Sequence, residues 1–161
     1  MPLYLSTLQW DNYTYYIVRT NKGLAFVSTS QNELHAWQKR NFPNNAIEHD
    51  HSVEYKEQIG RYLQGELTKF SIPVDLYGTK FQKLVWKALL TIPYGKIVTY
   101  SEIAEKIGKP KAIRAVANAI GKNPVLLVVP CHRVIRKDGD ISGFRAGVSL
   151  KKKLLKLEQA I

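Results

Sequence analysis

The sequence predicts two domains of different class, an α/β domain over residues 1–77 and a mainly helical domain with a helix-turn-helix over residues 78–161. Three observations predict this. Short β-rich runs separated by turn residues open the chain, amphipathic helical patterns dominate its second half, and charge divides sharply between the two. Residues 1–77 hold 7 Lys+Arg against 8 Asp+Glu, net −1, whereas residues 78–161 hold 17 against 5, net +12, so the whole basic excess of the chain lies in the second half. Such asymmetry points that half towards a polyanion, nucleic acid being the commonest. With 161 residues, 45% of them apolar, the chain can bury a real core. No stretch approaches the ~18 consecutive apolar residues of a membrane span, and nothing at the start reads as an export signal.

In the first half, Tyr13 to Thr20 reads as a strand, Asn21-Lys22-Gly23 as a hairpin turn and Leu24 to Ser28 as the partner strand. Helices follow around Glu33 to Arg40 and around Val53 to Gln64, the second stopped by Gly65. The segment Phe70 to Gly78, with Pro73 and the change of charge, marks the boundary.

In the second half, Phe81, Leu84, Val85, Ala88 and Leu89 recur at helical spacing and stop before Pro93-Tyr94-Gly95. Ser101 reads as the cap of a short helix, Glu102 to Ile107, closed by Gly108. After Lys109-Pro110 a second helix runs from Lys111 to about Ile120, and the pair forms the helix-turn-helix. At about 100° per residue, Ile113, Val116, Ala117 and Ile120 gather on one side of that second helix. Lys111, Arg114, Ala115, Asn118 and Lys122 gather on the other. The outward face is small at its centre and basic at its edges, which suits either close approach to a nucleic-acid groove or plain solvation.

The apolar run Val125 to Val129 reads as a strand leading into Pro130-Cys131-His132-Arg133-Val134. A turn at Lys137-Asp138-Gly139-Asp140 and the loop Ser142 to Gly147 follow. The last helix starts at Ser149 and presents Leu150, Leu154, Leu157 and Ile161 on one face. Lys151-Lys152-Lys153 reads as a solvated stretch of that helix. Glu158, about 80° from Leu150, sits at the edge of the apolar stripe and is expected to be partly buried against a partner.

Cys131 is the only cysteine, which excludes an internal disulfide and suits a reducing compartment, the cytoplasm or, in a eukaryote, the nucleus. A lone thiol can be packing or a nucleophile. His132 and Arg133 supply a base and a positive neighbour, although adjacent residues in a strand face opposite ways, so a turn at Pro130 or a bridging water is needed. Glu158 is the best acidic group to orient the histidine. Metal ligation is poorly supported, since His35, His49 and His51 are isolated in sequence and no cysteine cluster exists.

Pro130-Cys131-His132-Arg133-Val134, preceded by Gly121-Lys122-Asn123-Pro124 and by Ile92-Pro93-Tyr94-Gly95-Lys96 with Thr99-Tyr100, resembles the O6-alkylguanine-DNA alkyltransferase (methylated-DNA–protein-cysteine methyltransferase) family over about residues 79–160. The resemblance implies a ribonuclease-H-like fold for the first domain and a winged-helix-type helix-turn-helix fold for the second. It implies that Cys131 takes the alkyl group from O6-alkylguanine in duplex DNA and keeps it, with His132 as base through water and Glu158 orienting the imidazole. Asn123 matches the asparagine that braces the active-site turn. Tyr100 matches the tyrosine that assists departure of guanine and crowds the adjoining phosphate. Arg114 matches the arginine that fills the place of the flipped base, on a helix whose Lys111, Ala115 and Asn118 face the DNA. Val134 is the position whose carbonyl reads the guanine amino group. Phe144 stands where many members carry tyrosine, which keeps stacking and loses a hydroxyl; the amide of Arg145 can still donate to O6. Ala117 replaces a common glycine. No metal and no cofactor are implied, and the protein is expected to act as a monomer. The residues leave lesion preference open, including O4-alkylthymine. A helix-turn-helix protein that only marks lesions is the rival reading; the cysteine argues against it.

Overall fold

The computed structural model describes every residue from Met1 to Ile161. The chain forms two compact units, one of Met1–Tyr77 with Pro124–Leu126, the other of Gly78–Asn123 with Leu127–Ile161.

In the first unit, β1 (Leu3–Trp10), β2 (Tyr13–Arg19), β3 (Leu24–Ser28) and β4 (Ile47–His49) make one sheet in the order β3-β2-β1-β4. The β2–β3 hairpin is the one expected from the sequence, with a register shift at Val18/Arg19. The sequence reading missed β1 and β4. Leu3 and Leu5 of β1 pack with Val18, Phe26, Leu34 and Trp37, while Leu8 reaches Gly60 on the opposite face. A strand covered on both faces has no clean polar–apolar alternation to betray it. The three residues of β4, parallel to β1, are too few to carry a period.

Helices α1 (Gln31–Asn41) and α2 (Glu54–Leu63) complete this unit. Ser30 caps α1 by accepting from the Glu33 amide at 3.2 Å. The segment before Gly78 lies along β3, with Leu24 N donating to Pro73 O (2.8 Å) and Asp75 N to Leu24 O (2.7 Å). Pro124–Leu126 lies along the same strand through Val27 N to Pro124 O (2.9 Å) and Leu126 N to Val27 O (3.1 Å). The run Val125–Val129 is therefore no strand. Only Val125 bridges, and the chain then turns through Leu127 at φ 72°. Its apolar character reflects burial, which periodicity alone cannot assign to a strand.

The second unit contains α3 (Lys80–Leu89), β5 (Val98–Thr99), α4 (Tyr100–Lys106), α5 (Ile113–Gly121), β6 (Val134–Ile135) and α6 (Val148–Leu157). A capping box joins Thr79 and Gln82 at the start of α3. Trp86 of α3 is fully buried and donates its indole N–H to the Ala119 carbonyl of α5 at 2.8 Å, fixing the two helices together. The cap of α4 is Thr99, not Ser101: Thr99 is extended and its hydroxyl accepts from the Glu102 amide at 3.2 Å, so the helix begins two residues earlier, at Tyr100.

The turn before α5 runs through Pro110 and Lys111, and the helix starts at Ile113. Ile113 is 42% exposed although the helical phase put it in the core. Side chains lean towards the helix N-terminus, so a first-turn residue projects past the end of its packing partners. Ala119 is buried on the α3 side. Helix α6 stops at Leu157, Gln159 turns at φ 58° and Ile161 is left 53% exposed, so the expected apolar stripe ends one turn early.

Gly78 marks a close approach. A Cβ there would lie 2.5 Å from two ring atoms of Trp86, a side chain that has no freedom to withdraw. Gly78→Ala is expected to lower stability by about 1–3 kcal/mol through this overpacking. Denaturant unfolding checks it, and an unchanged midpoint would contradict the close approach.

Candidate active site

The site is built on the turn that joins α5 to β6. Asn123, buried just beyond α5, donates its side-chain amide to the Val129 carbonyl at 2.8 Å. Cys131 N donates to the same carbonyl at 2.8 Å, and Arg133 N to Pro130 O at 3.0 Å. Residues Cys131–Arg133 thus form one turn of 3-10 helix, not an extended strand. This resolves the geometric difficulty that opposite-facing neighbours would have raised.

Cys131 is 5% exposed. Burial pushes its thiol pKa up; a hydrogen bond from Asn123 and the charges of Arg145 and Lys151 pull it back. At rest the group is a thiol held among partners that favour its anion. His132 is fully buried, and desolvation lowers its pKa despite the opposing pull of Glu158. Its Nε2 lies 2.7 Å from Glu158 Oε2. Because a carboxylate can only accept, the neutral imidazole carries its proton on Nε2, which leaves Nδ1 as the basic nitrogen.

Glu158 follows the last residue of α6 and is 2% exposed. Arg133 clamps it with Nε to Oε1 at 2.8 Å and Nη2 to Oε2 at 3.0 Å, and donates Nη1 to the Ile92 carbonyl at 2.7 Å. Gly95 N donates to Oε1 at 3.2 Å. Gly95 sits at φ 78°, and a Cβ there would press on the Glu158 carbonyl at 3.1 Å. The turn after α3 therefore needs glycine to bring its amide to the carboxylate.

The parallel pair β5–β6 sets Val98 beside Val134, and Tyr100 follows directly at the start of α4. Tyr100 is half-buried; desolvation raises its pKa, as does the neighbouring Cys131, so its hydroxyl stays a donor. The Val134 carbonyl accepts from Lys151 Nζ at 2.6 Å. Phe144 is partly buried and Arg145 exposed on the loop before α6. Lys111, Arg114, Ala115 and Asn118 are all exposed, as the helical phase required for an outward face. They form a surface apart from the buried Cys131–His132–Glu158 cluster.

Two members of the site escaped the sequence reading. The sequence offers Arg133 only as a positive neighbour of Cys131, yet it is the main partner of Glu158. Lys151 is 1% exposed, not part of a solvated stretch. On α6 it falls at about 100° from Leu150, between Leu154 at about 40° and Leu155 at about 140°, a phase that was available in the sequence. His49 and His51, isolated in sequence, have ring centroids 4.9 Å apart.

Residues 80–160 match the family described as the 6-O-methylguanine DNA methyltransferase DNA binding domain, and residues 3–76 match the ribonuclease-like domain of the same family. The chain belongs to the 6-O-methylguanine DNA methyltransferase family. It is 48% identical over 163 residues to the inducible methylated-DNA–protein-cysteine methyltransferase of Bacillus subtilis, covering 98% of this chain and 90% of that one. The structure of Mycobacterium tuberculosis OGT in complex with DNA superposes with TM-score 0.84 at 35% identity, covering 99% of this chain and 93% of that one. The O6-methylguanine-DNA methyltransferase of Pyrococcus kodakaraensis superposes with TM-score 0.74 at 26% identity, covering 97% and 98%. The α/β first unit and the helix-turn-helix of the second agree with the two domains of this methyltransferase family.

Glu158→Gln keeps the shape of the side chain and removes the charge that Arg133 and His132 share. It is expected to cost about 3 kcal/mol or more, since it leaves a buried guanidinium without its anion. Chemical denaturation reads the loss, and a change under about 1 kcal/mol would mean that the clamp is not holding the site.

Proposed function

We propose that this protein repairs O6-alkylguanine in duplex DNA by transferring the alkyl group to its own Cys131, one group per molecule. One observation carries the reading: the only thiol of the chain lies in a turn braced by Asn123, next to a histidine whose Nε2 is held 2.7 Å from a buried glutamate. The family membership and the DNA complex of the related Mycobacterium tuberculosis OGT support it.

The chemistry follows from the groups present. His132, neutral with its proton on Nε2, takes the thiol proton at Nδ1 through a water, and the Asn123 amide supports the sulfur as it becomes a thiolate. The sulfur attacks the alkyl carbon in line. A C–S bond forms, the C–O6 bond breaks, and its electron pair leaves on guanine, which regains a proton at N1. One proton leaves the sulfur and one reaches the base, so the step balances with no further reactant. Glu158 is a positioning residue, holding the imidazole and stabilising it when charged. Tyr100, whose hydroxyl stays protonated, donates to the departing base.

The alkylated O6 within a stacked duplex cannot be reached in line by a buried thiol, so the nucleotide must be flipped out. The exposed face of Lys111, Arg114, Ala115 and Asn118 is suited to dock on the DNA, its small centre allowing close approach and Arg114 filling the vacated place in the stack. Phe144 stacks on the extruded base and the Arg145 amide donates to O6. The Val134 carbonyl keeps a second lone pair for the guanine amino group beside the one Lys151 uses. The thioether is not reversed by any group in the site, so the protein is consumed. A thiol that must stay reduced fits the cytoplasm, and all of the reacting groups come from one chain, which fits a monomer.

Duplex DNA carrying O6-methylguanine labelled in its methyl group is expected to place label on Cys131 up to one equivalent and no further. Peptide mapping after incubation checks it; repeated turnover, or label retained by Cys131→Ala, would sink the reading.

A further inference from the structure

Spacing along the chain offers no cluster of metal ligands, yet the fold sets two imidazoles side by side. His49 closes β4 and His51 follows two residues on, both exposed. In extended backbone, residues i and i+2 point to the same side. Asp50, between them, points the other way and is buried, where Arg19 clamps its carboxylate at 2.8 and 3.0 Å. The Asp50 amide donates to the Leu5 carbonyl of β1 at 2.9 Å, and its Oδ1 accepts from the Ser52 amide at 2.9 Å. These four bonds fix the backbone that carries both rings.

The rings lie with centroids 4.9 Å apart and planes at 80°. An imidazole nitrogen binds a first-row ion at about 2.0–2.1 Å, which puts each ring centroid about 3.2 Å from the metal. Two such rings at about 90° or about 109° around one ion have centroids about 4.5 or about 5.2 Å apart. The observed separation falls between the square and the tetrahedral values. Burial does not account for the pairing, since both rings stand in water. Beside them a pocket of 460 Å³ opens where β4 ends while β1 runs on to Trp10, with room for an ion and its waters. Glu48 and Lys56 on its wall offset each other, and the Asp50 carboxylate is engaged by Arg19. No third histidine, cysteine or carboxylate joins the two rings in a cluster.

We propose that His49 and His51 chelate one divalent first-row transition ion of the zinc, nickel or copper class, with water completing its coordination. Imidazole suits these ions, whereas Mg²⁺ and Ca²⁺ take oxygen donors. Two protein ligands leave the coordination sphere open, so the ion exchanges with solvent, unlike one held in a closed four-ligand structural site. Once bound, it ties the edge strand β4 to the segment leading into α2. The site lies wholly within the first unit and is independent of Cys131.

The test follows the four histidine rings of the whole, reduced protein by nitrogen-15 NMR during titration with Zn²⁺, repeated with Ni²⁺ and with Mg²⁺. Zn²⁺ is expected to move the ring nitrogens of His49 and His51 together and to saturate at one ion per protein, leaving His35 and His132 in place. Ni²⁺ is expected to broaden the same two rings, and Mg²⁺ to leave all four unmoved. His49→Ala and His51→Ala, both at exposed positions, are each expected to weaken Zn²⁺ binding by at least about tenfold, and His35→Ala to leave it unchanged. Affinity that survives either of the first two substitutions would overturn the chelate. So would Zn²⁺ that moves His132 in place of the pair, an equal response to Mg²⁺, or no saturation below about 1 mM.

Discussion

The carboxylate of Glu158 is the constraint on which the second unit turns. It lies at the C-terminal end of α6, where the helix dipole is negative and a carboxylate is locally disfavoured. It is also removed from water. What holds it there is a ring of donors from two places in the chain: Gly95 after α3, and His132 and Arg133 from the turn before β6. Arg133 adds a bond to the Ile92 carbonyl, so the end of α3, the reactive turn and the end of α6 are fixed by one group. A local conflict resolved only by the tertiary structure is characteristic of functional positions.

That arrangement separates two tasks. The buried cluster sets around Cys131 the Asn123 brace, an imidazole of fixed tautomer and the Lys151 ammonium. The exposed face of α5 carries Arg114 and Lys111 in water, where they can meet a polyanion without disturbing the thiol. β5 and β6, two residues each, pair in parallel, and Tyr100 directly after β5 lies within the electrostatic reach of the sulfur. Burial favours the thiol form of Cys131, while Asn123, Arg145 and Lys151 draw it towards the anion.

Much of this was legible in the sequence where local chemistry decides it. The outward face of α5 follows from helical phase, and the burial of Glu158 from its place at the edge of an apolar stripe. The ring of motifs around Cys131 named its partners. What was not legible depended on distant packing. β1 is covered on both faces and shows no alternation. Val125–Val129 looks like a strand because it is buried, yet Leu127 turns with positive φ and the run ends in a 3-10 turn. Ile113 obeys the period but lies at a helix end with nothing to cover it. Arg133 is a charged residue in the interior, and a single sequence offers no reason to bury it until its partner is known, whereas the helical phase of Lys151 between Leu154 and Leu155 does point inward.

Burial holds His132 neutral against the pull of Glu158, and Glu158 fixes its proton on Nε2, which leaves Nδ1 as the basic nitrogen. Nitrogen-15 NMR of the His132 ring tests this most directly. Since burial lowers its pKa from the ordinary 6.5, the ring is expected to show a protonated Nε2 and a bare Nδ1 at neutral pH, and to stay neutral as pH falls below 6.5. An imidazolium at neutral pH, or a proton on Nδ1 in the neutral ring, would contradict the account.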